Sequence, residues 1–191
     1  MSNGKFISIV IVILFVAFLT ACSEEVDLTP EVATDFRLPD SNGNMVTLAD
    51  ALQKNEQVVL VFYYDDKCTL CMVQLREIEN DRAQYEEKGA QVIAIAVQSL
   101  AGAQSSLDRS RANFPILADS DHAVAEAYGV YDLLPEDAGD ATPSVFIINK
   151  DREIIWKHIN TSIYEEGEAP SHSVTCGKER VPSQTILENL L

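Results

Sequence analysis

The sequence predicts an α/β fold in which a mixed central β-sheet is flanked by helices. Two largely apolar stretches, Val58–Tyr63 and Gln91–Val97, have the character of strands that are covered on both faces. A helical stretch separates them, and strand, helix and strand in this order form a right-handed crossover with parallel strands. Ser144–Ile148 and Glu153–Lys157 alternate and turn like an antiparallel hairpin. The sheet therefore combines parallel and antiparallel pairs.

The other predicted elements are shorter and are marked by turn and helix signals. An Asn-Gly pair is typical of a hairpin turn, glycine of a helix end, and proline of a first helical turn. In chain order they are a hairpin within Phe36–Leu48, a short helix beginning at Leu48, a helix from Thr69 to Lys88, a polar helix or loop over Ala101–Asn113, an extended segment Phe114–Leu117, a helix Asp121–Tyr128, an acidic loop Asp132–Asp140, and a last helix opened by Pro182 with Ile186, Leu187, Leu190 and Leu191 on its inner side.

The first 21 residues have the composition of an export signal. Lys5 is the only charge before Glu24, and Phe6–Phe18 is almost wholly apolar but short for a membrane span. Small residues then precede Cys22, which resembles the lipobox of bacterial lipoproteins, where cleavage precedes a cysteine that becomes lipidated. An uncleaved anchor with an incidental cysteine is the alternative.

The lipoprotein resemblance implies an organisation and a location. Residues 1–21 would be a lipoprotein signal peptide, residues 22–33 an acidic tether, and residues 34–191 one domain. The protein would be extracytoplasmic and anchored to a bacterial membrane through a lipid on Cys22. The formal net charge of -16 argues against nucleic acid or an anionic bilayer as a direct ligand, because both would repel the chain.

Cys68 and Cys71 lie three residues apart where the first long strand becomes a helix. The first turn of a helix carries unpaired N–H groups and a partial positive charge, and both favour a thiolate over a thiol. A Cys-x-x-Cys pair at such a junction is the sequence form of a thioredoxin-like redox site. The sequence therefore predicts redox chemistry at these two cysteines.

Two other interpretations of the cysteine pair stay open. A structural disulfide would persist outside the cytoplasm, although a loop this short stabilises little. A zinc site would need two further ligands at suitable spacing. The candidates for those ligands are His122, His158, His172 and Cys176, whose spacing fits no common zinc motif.

Several further residues are candidates for the same site. Thr142-Pro143 stands just before a buried strand, where a cis peptide bond would explain the proline, and in the thioredoxin fold such a proline faces the cysteine pair. Tyr64, Asp65 and Asp66 are candidates for lining the site as proton donors or acceptors, although aromatic residues that end a buried strand also serve as plain packing. Cys176 provides an extra thiol. Three interpretations of it stay open: a resolving cysteine, a partner for another chain, or an idle thiol.

Six segments together resemble one known family. They are Phe36 to Leu48, FYYDDKCTLCMVQL, GAQVIAIAVQS, FPILADSD, VAEAYGVYD and TPSVFIINKDREIIW. This ordered set, within residues 33–159, is similar to the peroxiredoxin-like branch of the thioredoxin superfamily, which includes alkyl hydroperoxide reductases, thiol-specific antioxidants and redoxins. The resemblance implies a thioredoxin-like fold, thiol-dependent reduction of peroxides, no metal or organic cofactor, and an external dithiol reductant such as a thioredoxin-like protein.

The resemblance also implies roles for individual cysteines. Cys71 falls where peroxiredoxins hold the cysteine that attacks peroxide, and Cys68 falls where they usually hold a threonine. If the chain instead works like a thioredoxin, Cys68, expected to be the more exposed sulfur, attacks a substrate disulfide first. Tyr64 and Pro143 depart from the family pattern, which has a proline and a peroxide-polarising arginine near these positions.

Three functions therefore remain in view. The first is peroxide reduction through a Cys68–Cys71 disulfide that an external dithiol restores. The second is thiol–disulfide exchange with extracytoplasmic protein disulfides. The third is a non-catalytic binding lipoprotein in which the disulfide has a structural role.

Overall fold

The computed structural model describes residues 31–133, 137–160 and 180–191. Within these ranges the strands are β1 (Arg37–Pro39), β2 (Met45–Thr47), β3 (Gln57–Phe62), β4 (Ala90–Ala96), β5 (Ile116–Ala118), β6 (Ser144–Asn149) and β7 (Ile154–Ile159). The helices are α1 (Leu48–Lys54), α2 (Thr69–Asn80), α3 (Arg82–Glu87), α4 (Leu100–Ser110), α5 (Ala123–Ala127) and α6 (Ser183–Glu188). Most predicted elements are confirmed, with their ends shifted by a few residues.

Five strands form the central sheet in the order β5-β4-β3-β6-β7. β3 pairs in parallel with β4, and β4 pairs in parallel with β5. β6 runs antiparallel to β3, and β7 runs antiparallel to β6. β1 and β2 form a separate antiparallel hairpin, as the Asn-Gly turn predicts. The predicted mixed sheet is confirmed.

Every residue of β3 is buried, because helices and loops cover both faces of the sheet. Successive side chains point to opposite faces, so the strand serves two separate core clusters. Val59 and Val61 pack in the cluster that contains Cys68 and Cys71. Leu60 belongs to the cluster on the opposite face. The cysteine pair is thus built into one face of the core, at the end of a fully buried strand.

The helix predicted from Thr69 to Lys88 is wrong as a single element. α2 ends at Asn80 and α3 begins at Arg82, with Asp81 between them at φ -94° and ψ 6°. Asn and Asp are weak helix formers because their short polar side chains compete for backbone hydrogen bonds. Gly89 follows α3 with a φ of +67°, which is the left-handed conformation that a glycine helix end favours.

The last helix, α6, packs as the sequence predicts except at its end. Ile186, Leu187 and Leu190 are buried, but Leu191 is 81% exposed. The helix ends at Glu188, so helical spacing no longer sets the direction of the Leu191 side chain. The inward position predicted for Leu191 is therefore wrong.

Residues 31–33 of the predicted tether are part of the fold. The N–H of Ala33 donates to the carbonyl of Arg152 at 2.8 Å, and the N–H of Ile154 donates to the carbonyl of Glu31 at 2.8 Å. Ala33 is buried. The predicted signal at residues 1–21 lies outside the described residues. In the part of the chain that the structure describes, no helix combines the length and the apolar character that crossing a membrane requires.

Candidate active site

Cys68 and Cys71 form a disulfide at the start of α2, with their Cα atoms 5.3 Å apart. β3 delivers the chain to this point, and Cys68 is the N-cap residue of the helix. The side chains are 2% and 0% exposed, respectively. Cys68 is the more exposed of the two, as expected, but only by this small margin, because the turn and the core enclose both residues.

The backbone of the first helical turn treats the two sulfurs differently. The N–H of Cys71 donates to Sγ of Cys68 at 3.2 Å, so the sulfur caps one of the unpaired N–H groups of the helix. Oδ1 of Asp65 accepts from the N–H groups of Lys67 and Cys68 at 2.9 and 3.0 Å. Hydrogen bonds to a charged form favour that form, so the helix start would stabilise a thiolate on Cys68.

Arg180 is a site residue that the sequence did not reveal. Its Nη2 lies 3.5 Å from Sγ of Cys68 and 3.5 Å from Sγ of Cys71. Its guanidinium carbon lies 5.5 Å from the centre of the Tyr64 ring, within the range of a cation–π contact. More than a hundred positions separate this arginine from the cysteines, and no local pattern in the sequence indicates the contact.

Tyr64 and Thr142, both predicted site residues, meet at a buried carboxylate. The hydroxyl of Tyr64 donates to Oδ1 of Asp137 at 2.7 Å, and the hydroxyl of Thr142 donates to Oδ2 of Asp137. Asp137 is only 1% exposed. The sequence placed Asp137 in an acidic loop, and the only signal for its role was the excess of carboxylates in that loop.

Asp66, another predicted site residue, and Asp140, which the sequence did not single out, have separate environments. Oδ2 of Asp66 accepts a hydrogen bond of 2.6 Å from the hydroxyl of Ser105, which joins it to α4. Burial raises the pKa of Asp140 to about 6, the charges of Asp65 and Asp137 add to the rise, and Lys67 opposes it. Asp65, in the turn before the helix, therefore lies near the carboxylates of Asp137 and Asp140 in the loop before β6.

Tyr63 belongs to the core. Its ring is fully buried, and its hydroxyl accepts a hydrogen bond of 2.7 Å from Nε2 of Gln98. Burial raises the pKa of its hydroxyl well above the ordinary value. Of the two tyrosines that follow β3, Tyr64 is the one in contact with the arginine at the disulfide.

Pro143 lines a small cleft together with Arg180, Gln74 and His158. Its peptide bond is trans, since the described residues contain no cis peptide bond, so the cis form suggested by the sequence is wrong. Pro143 precedes β6, where the missing N–H interrupts no strand pairing, and its carbonyl accepts from the N–H of Asn160 at 3.1 Å. A trans proline is therefore accommodated.

The zinc interpretation finds no support among the described residues, which contain no group of three or more His, Cys, Asp or Glu arranged to hold a metal ion. His122 stacks on Tyr131, and His158 stacks on Trp156. Cys22, His172 and Cys176 lie outside the described residues.

Known proteins are similar to this chain in sequence and in fold. A protein of Helicobacter pylori strain J99 named "Putative peroxiredoxin bcp" is 31% identical over 122 residues, which cover 62% of this chain and 79% of that protein. Peroxiredoxin Bcp of Escherichia coli strain K12 is 30% identical over 102 residues, which cover 53% of this chain and 64% of that protein.

Solved structures agree with this relationship. The crystal structure of peroxidoxin BcpB from Mycobacterium tuberculosis has a TM-score of 0.68 at 21% identity and covers 85% of this chain and 95% of that chain. The Enterococcus faecalis AhpC structure has a TM-score of 0.61 at 22% identity, with coverages of 78% and 87%. These likenesses confirm the thioredoxin-like fold. Residues 30–157 match the AhpC/TSA family, and the chain belongs to that family.

Proposed function

We propose that this chain reduces hydroperoxides through a Cys68–Cys71 dithiol–disulfide cycle. Membership of the AhpC/TSA family makes it a thiol-dependent antioxidant oxidoreductase. The observation that carries the proposal is the disulfide between Cys68 and Cys71 at the N-terminus of α2. Cysteine oxidation is the chemistry that reduces peroxides in this family. No organic cofactor is required, because both electrons come from the two thiols.

In the first half of the cycle the Cys71 thiolate attacks one peroxide oxygen. The S–O bond forms as the O–O bond breaks, and the departing oxygen takes a proton to become water or an alcohol. The Cys68 thiol then attacks the sulfenic sulfur, so that the S–S bond forms and water leaves. An external dithiol, such as a thioredoxin-like protein, returns two electrons and restores both thiols.

Thiol–disulfide exchange is the second candidate function, and one contact favours it. Sγ of Cys68 accepts the N–H of Cys71, which would stabilise Cys68 as the attacking thiolate. In this cycle Cys68 attacks a protein disulfide and Cys71 resolves the mixed disulfide. The substrate would be an extracytoplasmic protein. Tyr64 and Thr142 would contribute to the site through the Asp137 carboxylate, to which both donate hydrogen bonds.

Single-cysteine variants distinguish these functions. The reduced protein is mixed with hydrogen peroxide, an alkyl hydroperoxide or a model protein disulfide, and its oxidation is followed by stopped flow. Fast oxidation by peroxide that survives Cys68→Ser but not Cys71→Ser supports peroxide reduction. Reaction confined to the disulfide and lost with Cys68→Ser supports exchange. A pair that is inert toward all three oxidants contradicts both, and Cys176→Ser is the matched control for a thiol outside the pair.

We also propose that the chain is an extracytoplasmic lipoprotein with a lipid on Cys22. The apolar run that ends in small residues before this cysteine supports the proposal. Expression in a bacterium should place the full chain in the membrane fraction, and Cys22→Ser should release it from that fraction or leave the signal uncut. Equal distribution of the two proteins, with no lipid mass on the mature chain, would contradict this location.

A further inference from the structure

Burial of both sulfurs opposes the stabilisation that the helix start gives to a thiolate. Their side chains are at most 2% exposed. Desolvation penalises the charged form of a thiol, and neighbouring carboxylates add to that penalty. Asp65 binds the N–H of Cys68 and also adds to the raised pKa of Asp140. A cationic partner would therefore add to the N–H groups of the helix start in stabilising a thiolate here.

Arg180 supplies that cation from the C-terminal part of the chain. Its Nη2 lies at the same distance, 3.5 Å, from both sulfur atoms. A guanidinium stays charged at every physiological pH, and its attraction to a thiolate is stronger where water is excluded. The position also lies beyond residues 30–157, which are the part of the chain that matches the family. The family match therefore assigns no role to this residue, and the inference rests on its contacts.

The surrounding contacts hold the guanidinium in place. The Tyr64 ring lies beneath it, and the hydroxyl of that ring is fixed by the buried Asp137 carboxylate. The next residue, Val181, accepts a hydrogen bond of 3.1 Å at its carbonyl from Nε2 of Gln74. Two residues later α6 begins, where the Tyr85 hydroxyl lies 3.2 Å from the carbonyl oxygen of Ser183. The Tyr64 ring and the anchored backbone that follows Arg180 therefore hold the arginine at the sulfurs.

We propose that Arg180 is a catalytic residue shared by Cys68 and Cys71, stabilising whichever sulfur carries negative charge. The inference rests on the proposed dithiol–disulfide cycle. During oxidation it stabilises the thiolate that attacks the oxidant. During recovery a dithiol thiolate attacks one sulfur, the S–S bond breaks, and its electron pair moves to the other sulfur, which leaves as a thiolate beside the same guanidinium. The second thiol of the reductant then displaces the remaining protein sulfur.

The test compares Arg180→Met with Arg82→Met in the full chain. Arg82 is a surface guanidinium paired with Glu79 and Glu86, so the control removes the same group from a different place. Three quantities are measured: the pH profile of thiol alkylation by iodoacetamide, the rate of oxidation by hydrogen peroxide, and the rate of disulfide reduction by dithiothreitol. Circular dichroism and urea unfolding establish that each variant is folded.

A positive charge at this distance lowers the pKa of an acidic group such as a thiol by roughly one to three pH units. We therefore expect Arg180→Met to move the alkylation midpoint upward by roughly one unit or more. We expect both rates at pH 7 to fall several-fold, Arg180→Lys to restore part of each loss, and Arg82→Met to change none of the three. If Arg180→Met is unstable, Arg180→Lys and Arg180→Gln give the same comparison of charge retained with charge removed.

Two results would overturn the inference. One is a folded Arg180→Met protein with an unchanged alkylation profile, and the other is slowing of only one half-reaction, which would exclude a shared role. Alkylation and reduction need no peroxide. If the natural chain fails to react with peroxide, the proposed peroxidase activity falls while these two measurements still decide the role of Arg180.

Discussion

Tyr64 donates a hydrogen bond of 2.7 Å to Asp137, a residue 73 positions further along the chain. The bond joins the turn that carries the cysteines to the acidic loop before β6. Thr142 donates to the other oxygen of the same carboxylate. Because Arg180 lies over the Tyr64 ring, this buried carboxylate helps to fix the surface against which the guanidinium rests.

The first prediction concerns this bond. Tyr64→Phe keeps the ring but removes a hydrogen bond to a buried carboxylate, which should lower the free energy of unfolding by about 1–3 kcal/mol. Urea unfolding of the oxidised protein measures the change. Tyr131→Phe is the control, since its ring stacking on His122 is retained. Equal stabilities for the Tyr64→Phe variant and the natural chain would show that the bond contributes nothing.

The second prediction follows from the raised pKa of Asp140. Its folded-state pKa of about 6 exceeds the ordinary value of 3.8, so the fold favours the protonated carboxyl. The stability linked to that proton is fully present below pH 3.8 and is lost as the pH rises through about 6. Asp140→Asn, which stays neutral, should therefore be more stable than the natural chain at pH 7.5.

The advantage of Asp140→Asn should shrink as the pH falls toward 4.5, where the natural carboxyl is largely protonated in the folded protein. Urea unfolding at the two pH values gives the comparison. Asp151→Asn, which makes the same substitution at an exposed turn, is the matched control. An Asp140→Asn advantage that is the same at both pH values would contradict the assignment.

The third prediction separates the charge of Asp65 from its hydrogen bonds. Asp65→Asn keeps an oxygen that can accept from Lys67 and Cys68, but it removes a negative charge beside the cysteine turn. The midpoint of the alkylation profile should fall, by less than one pH unit because the carboxylate is partly exposed. Asp65→Ala, which removes the charge and the acceptor together, should also destabilise the turn. An alkylation midpoint that rises in Asp65→Asn would contradict the prediction.

The parts of the site that the sequence predicts are those that local patterns encode. The cysteine spacing, the apolar run of β3 and the helix start all lie within a short stretch, so Cys68 and Cys71 could be assigned before the fold was known. Arg180 and Asp137 reach the site only through tertiary packing, across 112 and 73 positions, and no periodicity encodes such contacts.

The same contrast holds for the fold. Strand order could be predicted where a crossover or a hairpin fixes it, as for β3 with β4 and β6 with β7. The exposed position of Leu191 could not be predicted, because it depends on how the end of α6 packs against its neighbours. The break at Asp81 is different, because the weak helix propensity of Asn80 and Asp81 indicates it locally.

The fourth prediction tests whether α6 holds Arg180 in place. Ile186 is fully buried, so Ile186→Ala should lower the free energy of unfolding by about 2–5 kcal/mol through the cavity that it leaves. Leu191→Ala removes a similar amount of hydrocarbon at a position that is 81% exposed, and it should change stability by about 0.5 kcal/mol or less. Urea unfolding measures both.

Because α6 begins three residues after Arg180, the two variants should also differ in chemistry. Loosening of α6 in Ile186→Ala should weaken the contact of the guanidinium with both sulfurs and raise the midpoint of the alkylation profile, even under conditions where the protein is fully folded. Leu191→Ala should leave the profile unchanged. If Ile186→Ala is destabilised but its alkylation profile is unchanged, the Tyr64 ring and the Gln74 hydrogen bond are sufficient to hold Arg180, and α6 contributes to stability alone.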